Sequence, residues 1–236
     1  MATGNPTTTR FSRLRFVVVN AMTSLNLVLG VLAIILASTD QLALAAWCLL
    51  GGAVFDGCDG TLARRWNVSS AFGAQLDSLA DMTSFIVGGG ALVYFWTYPP
   101  ETDRPVLGLV AVCSCYVLAG AVRLARFNAA PANPGYFQGV PSTIVAVIVA
   151  LNALLHPAMS GSGVVGLVLV LSVLMVSVFP YPKLSAMAPH VPRWGVPLFA
   201  AIAIVNLSWT VWVATSLYLF SGPWISARRR YGARAG

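Results

Sequence analysis

Four aspartates stand close together in strongly apolar sequence: Asp56 and Asp59 in VFDGCDGTLARRW, then Asp77 and Asp81 in FGAQLDSLADMTSF. A carboxylate at the centre of a bilayer costs on the order of 3 kcal/mol on insertion scales, so a cluster of them calls for a compensating partner. Asp56 and Asp59 are spaced to share one helix face, which Gly60 and Ala63 continue, with Arg64 a turn beyond Gly60. Gly73, Asp77 and Asp81 recur at every fourth residue, a single stripe on the next helix. The connection between them is short, so the two helices are expected to be antiparallel neighbours with facing stripes. Carboxylates from two facing helices make an oxygen-rich cage suited to hard divalent cations, Mg²⁺ or Mn²⁺. Four negative charges balance two such ions, and no soft ligand at suitable spacing favours zinc.

The residues around the acids fit the same chemistry. Gly60 and Gly73 leave room for close approach to the helix backbones, and Arg64 offers a planar fork to a phosphate. Together they predict phosphoryl transfer on a phosphorylated, lipid-linked substrate, assisted by two divalent cations. Helix packing through small residues, with acids paired to arginines, explains the glycines but sets all four acids against Arg64 and Arg65 alone. An ion-coupled transporter also uses intramembrane acids. It comes with broken helices and internal repeats, and neither is clear here.

The elements that must position these residues are membrane helices. The chain of 236 residues is 58% hydrophobic and 9% charged, with mean hydropathy +0.79, too apolar for an ordinary soluble domain. Windows of about 20 apolar residues fall at 16–37, 42–63, 71–96, 106–122, 140–155, 164–179 and 196–225. The last is either one long helix or a hairpin turning at Asn206-Leu207-Ser208. With a hairpin, giving eight crossings, and a cytoplasmic N-terminus, only Arg104 of the 14 basic residues falls outside. With seven, the C-terminal ARRRYGAR would be exported, against the positive-inside rule. The expected fold is therefore all-α: a polytopic transmembrane bundle of about eight helices, a six-helix core plus a C-terminal hairpin. The chain reads as a single domain, residues 1–236. An interfacial segment is expected at 1–15 and a basic tail at 226–236, the latter on anionic headgroups.

The net charge of +7 is thus a topological signal, because nucleic-acid binders spread basic residues over a soluble face with interleaved aromatics. Cys48, Cys58, Cys113 and Cys115 lie in apolar segments without a C-x-x-C pair and read as small buried hydrophobes. His156 and His190 carry no ligand spacing.

The run Asp56-Gly57-Cys58-Asp59-Gly60-Thr61-Leu62-Ala63-Arg64, followed by Gly73, Asp77 and Asp81, resembles the signature of the CDP-alcohol phosphotransferases, with every fixed position present at its spacing. The resemblance implies that Asp56, Asp59 and Asp77 hold metal, and that Asp81 contributes to the metal site and acts as general base. It also implies that Gly60, Ala63, Arg64 and Gly73 contact the CDP portion of a lipid donor. The spacing alone does not choose Asp81 over Asp77 as base. In the first span, Asn20, Thr23, Asn26 and Gly30 lie along one helical stripe and are similar to the family's opening pattern, with Val19 where Pro is common. Asn20 is a candidate contact to the nucleotide.

A second segment speaks to the acceptor alcohol. Arg123-Leu124-Ala125-Arg126-Phe127-Asn128, then Phe137-Gln138-Gly139-Val140-Pro141-Ser142, resembles the signature of the phosphatidylserine synthase branch, with Val140 for Leu and Thr143 where Pro is common. SLADMTSF and YLFSGP are also similar to that branch, whereas Gly88-Gly89-Gly90 departs from it. Serine presents a carboxylate and an ammonium. Arg123 or Arg126 can grip the first bidentately, and Asn128 can accept from the second. The resemblance implies CDP-diacylglycerol and L-serine as substrates and CMP as a product. It further implies a homodimer in the plasma (inner) membrane with its site facing the cytoplasm. Inositol phosphate and glycerol phosphate are the alternative acceptors.

Overall fold

The computed structural model describes residues 6–98, 106–129, 136–182 and 206–232. Those residues form α1 (Pro6–Ser38), α2 (Leu42–Trp66), α3 (Ala71–Thr97), α4 (Leu107–Ala129), β1 (Tyr136–Gln138), α5 (Ser142–Leu155), α6 (Gly161–Val176), β2 (Pro180–Pro182) and α7 (Leu207–Gly232). Four helices, within α1 to α4, are long and apolar enough to cross a membrane; α5 and α6 are shorter apolar helices. Large apolar side chains such as Trp47, Val54, Leu118 and Val173 lie exposed on the outside, as a surface in contact with lipid requires. The protein is an integral membrane protein of helical architecture.

Helix α1 shows how the sequence builds this bundle. Its buried residues are Thr23, Asn26, Gly30, Ala33 and Ala37, alternating by three and four, so one narrow stripe of small and polar residues meets α2 and α3. Gly30 is needed for that contact, since a Cβ there would stand 2.5 Å from the Ser84 Cα. Ser84 in turn donates to the Asn26 carbonyl at 2.7 Å. From Pro6 onward α1 runs without a break into the span.

Seven helices are described, against the eight expected. The range 196–205, which would hold the first arm of the C-terminal hairpin, lies outside the described residues, as do Arg193, Lys183 and His190. Helix α7 itself starts at Leu207, where Asn206 Oδ1 accepts from the Trp209 amide at 3.1 Å. This N-cap sets the start of α7 within the 196–225 window.

The helical architecture is as expected, and beside it lies a short two-stranded antiparallel ribbon, in which Tyr136 pairs with Pro182, Phe137 with Tyr181 and Gln138 with Pro180. Gly139 ends β1 at φ 75°, and a Cβ there would sit 2.3 Å from the Met175 carbonyl oxygen. Only glycine fits this crossing of the loop over the end of α6. Arg126 seals the same place, donating to the carbonyls of Val176 at 2.9 Å, Ser177 at 3.1 Å, Met175 at 3.2 Å and Gln138 at 3.5 Å. The first three are the acceptors that a helix C-terminus leaves without amide donors. Arg126→Ala is therefore expected to lower stability by about 2 kcal/mol and to leave the acceptor requirement within about twofold of normal. Thermal unfolding and KM measured on one preparation check this.

Candidate active site

The acidic stripes meet because the α2–α3 connection is tight. Asn67 ends α2 in the left-handed conformation (φ 53°, ψ 44°), its amide bonding the Ala63 and Arg64 carbonyls, a conformation asparagine tolerates. Ser70 then caps α3 by accepting from the Gly73 amide at 2.9 Å. The last turns of α2 and the first of α3 are thereby held side by side. Asp56, Asp59 and Asp77 each present a carboxylate oxygen, all within 4.8 Å of one another. Asp81, one turn deeper along α3, has Asp56 and Asp77 as charged neighbours, and its Oδ1 is buried without a hydrogen-bond partner among the described residues. Carboxylates this close repel strongly where water is scarce. An all-oxygen donor set with an unpartnered buried oxygen fits a hard divalent cation.

Two hydroxyls orient the acids. Thr23 on α1 donates to Asp59 Oδ2 at 2.5 Å, and Thr143 on α5 to Asp56 Oδ2 at 3.3 Å. Neither was singled out as a site residue from sequence, although both had surfaced: Thr23 in the first-span stripe and Thr143 as a departure from the expected Pro. Such outer partners fix the rotamers of ligating carboxylates.

Beside the acids lies a cavity of about 190 Å³ lined by Asn20, Thr23, Asp59, Gly60, Ala63, Arg64, Gly73, Asp77 and neighbours on the α2–α3 connection. It gathers the residues expected to contact a nucleotide, Asn20, Gly60, Ala63, Arg64 and Gly73, with two of the four aspartates. Asn20 Nδ2 donates to the Phe16 carbonyl at 2.8 Å, while its Oδ1 is buried and, among the described residues, unpartnered, an acceptor available to a ligand's N–H. A Cβ at Gly73 would come within 3.4 Å of that oxygen, and one at Gly60 within 3.5 Å of the Arg64 guanidinium. The two glycines keep the cavity open.

On the far side of the acids the three expected acceptor residues part company. Arg123 is 6% exposed, donates from Nη1 to Ser142 Oγ at 3.0 Å and has Asp81 and Asp56 within electrostatic reach. Its guanidinium lies near the rings of Phe127 and Phe137, at 5.5 and 6.0 Å, and its Nε is buried without a partner among the described residues. Arg126, three residues on, turns to the carbonyls at the end of α6. Asn128 is exposed and donates to Ser78 Oγ at 2.9 Å, next to Asp77 on α3.

Immediately after Asp81, α3 widens into a π-helical stretch, Met82–Gly88, a feature common at functional sites. The Gly89 amide bonds the Ile86 carbonyl, and the buried Tyr116 hydroxyl of α4 donates to the Phe85 carbonyl at 2.9 Å. A Cβ at Gly89 would stand 2.7 Å from that hydroxyl, and one at Gly120 would stand 2.8 Å from Ile86. One extra residue in a turn rotates the remainder of the helix by roughly 100°. The stretch thus sets the phase of the Asp77–Asp81 stripe against the anchored second half of α3.

Comparison with known proteins identifies the family to which these residues belong. The family model described as CDP-alcohol phosphatidyltransferase matches residues 16–179, and the chain belongs to that family. Among curated relatives, a CDP-diacylglycerol–serine O-phosphatidyltransferase of Helicobacter pylori is 34% identical over 193 residues, covering 78% of each chain. A protein of the same name from Mycobacterium tuberculosis is 30% identical over 234 residues, 91% of this chain and 80% of its own. An archaetidylserine synthase of Methanothermobacter thermautotrophicus is 30% identical over 168 residues, 70% of each.

Proposed function

We propose that the protein transfers the phosphatidyl group of CDP-diacylglycerol to L-serine, leaving phosphatidylserine in the bilayer and releasing CMP. The observation that carries this is the cavity joining Asn20, Gly60, Ala63, Arg64 and Gly73 to the aspartate cluster, with Arg123 buried within electrostatic reach of Asp81 and Asp56. The names of its relatives, which carry serine, support the acceptor. A phosphate-bearing acceptor such as inositol phosphate or glycerol phosphate would demand more free cationic groups, and Arg126 is committed to backbone carbonyls.

Two divalent cations, Mg²⁺ or Mn²⁺, held by Asp56, Asp59, Asp77 and Asp81 would supply charge neutralisation for the diphosphate and for its transition state. Gly60, Ala63 and Gly73 admit the CDP moiety close to the helix backbones, and Asn20 Oδ1 accepts from it. Arg64 meets the diphosphate from the rim. Arg123 holds the serine carboxylate, and the Asn128 side-chain oxygen accepts from its ammonium. The unpartnered Oδ1 of Asp81 takes the hydroxyl proton as the serine oxygen bonds to the lipid-side phosphorus. The bond from that phosphorus to the CMP oxygen breaks, and CMP carries the electron pair away. Thr23 and Thr143 keep two of the acids oriented throughout.

The same reading sets the site at the cytoplasmic face of the plasma (inner) membrane, in a single domain of eight crossings that pairs as a homodimer. Its test is an acceptor panel. Purified protein with CDP-diacylglycerol and Mn²⁺ is expected to release CMP with L-serine and not with inositol phosphate or glycerol phosphate. Release with either phosphate in place of serine would overturn the acceptor assignment.

A further inference from the structure

The region shared across the family ends at residue 179, before α7 begins. What the whole family has in common therefore stops short of this helix, and a residue that α7 brings to the site is well placed to distinguish one acceptor from another. Tyr218 is such a residue. Its hydroxyl oxygen is buried and, among the described residues, has no hydrogen-bond partner. Leaving a buried polar group unpaired is costly, and a bound ligand can recover that cost.

The ring is fixed in place. It packs on Tyr181 of β2 with centroids 5.5 Å apart, and the Tyr181 hydroxyl donates to the Leu219 carbonyl at 3.0 Å. Gly222, one turn on, makes this approach possible, since a Cβ there would sit 2.5 Å from the Tyr181 ring. Across the ribbon, Tyr181 pairs with Phe137, whose ring lies 6.0 Å from the Arg123 guanidinium. The ribbon and α7 so form one wall around Arg123, and Tyr218 lies within electrostatic reach of it. Arg123 Nε is the second buried donor without a partner at this wall. Asp81 and Asp56 are within electrostatic reach of the same guanidinium. Two unsatisfied donors, one of them charged, beside the reacting acids match a carboxylate.

We propose that the Tyr218 hydroxyl and Arg123 Nε together form the subsite for the acceptor's carboxylate, which makes Tyr218 a specificity-determining residue carried outside the shared catalytic region. This rests on serine being the acceptor. An amino alcohol without a carboxylate leaves both donors unpaired, and sites of this kind discriminate strongly against a ligand lacking the matching group.

Tyr218→Phe keeps the ring and its stacking on Tyr181 and removes only the hydroxyl. The variant is expected to raise KM for L-serine about tenfold, with KM for CDP-diacylglycerol and the unfolding temperature unchanged. Its preference for L-serine over serinol, which lacks the carboxylate, should shrink by a similar factor. A purely packing role would move neither. If the wild-type protein uses serine and Tyr218→Phe leaves both quantities unchanged, or if serine and serinol weaken equally, the Tyr218 subsite is overturned while the serine reading stands. If wild-type protein does not use serine, both fall together.

Discussion

Asp81→Asn is expected to reduce turnover at least a thousandfold while leaving CDP-diacylglycerol binding within about twofold. The amide is isosteric and keeps an oxygen toward the cluster, but it cannot take the serine proton, and general-base catalysis alone is worth about 10²–10⁴. The location of Asp81 favours this role: it sits deepest along the acidic stripe, its Oδ1 has no donor, and Arg123 lies beside it. Asp77, by contrast, stands with Asp56 and Asp59 in the triad of converging oxygens. Turnover of CDP-diacylglycerol with serine, set against direct binding of the lipid, checks the expectation. Near-normal turnover would move the base elsewhere.

Asp59→Asn is expected to have a comparable effect by a different route. It is the most buried of the converging acids, at 3% exposure, and is held by Thr23. Removing its charge leaves the remaining carboxylates short of the charge needed for two divalent ions, so Mn²⁺ affinity should drop at least tenfold and turnover by more than a hundredfold. Thr23→Val tests the same coupling more gently. It keeps the charge and loses only the orienting hydroxyl, for which a loss of about tenfold or more in metal affinity is expected. The paramagnetic resonance of free Mn²⁺, read without substrates, separates both effects from catalysis. Unchanged Mn²⁺ binding in Asp59→Asn would remove Asp59 from the metal site.

Much of this was legible in the sequence, for definite reasons. Apolar runs of membrane length placed α2, α3, α5 and α6 close to their observed limits, whereas α1 starts at Pro6 and α4 runs on to Ala129, both beyond their apolar windows. The stripe through Gly73, Asp77 and Asp81 survives because those residues precede the π-helical stretch, so regular helical spacing holds where it mattered. The stretch itself depends on Tyr116, thirty-one positions from Phe85, and has no local signature beyond the glycines that admit it. The β1–β2 ribbon was hidden because its strands are three residues long and β2 reads Pro-Tyr-Pro, a composition that argues against pairing. Arg123 and Arg126 could not be told apart by type or spacing. Their difference lies in what reaches them: Ser142, Phe137 and the acids for one, the carbonyl end of α6 for the other. Tyr218 likewise gained its place only when β2 brought Tyr181 under it.

The central claim, direct transfer of a phosphatidyl group to serine at the aspartate cluster, is tested most directly by product stoichiometry. Purified protein is given CDP-diacylglycerol, Mn²⁺ and radiolabelled L-serine, and both CMP and lipid-extractable label are counted. The account predicts one labelled phosphatidylserine per CMP, abolished by chelation and restored by Mn²⁺ or Mg²⁺. CMP released without label entering lipid, or label transfer that persists after chelation, would contradict it.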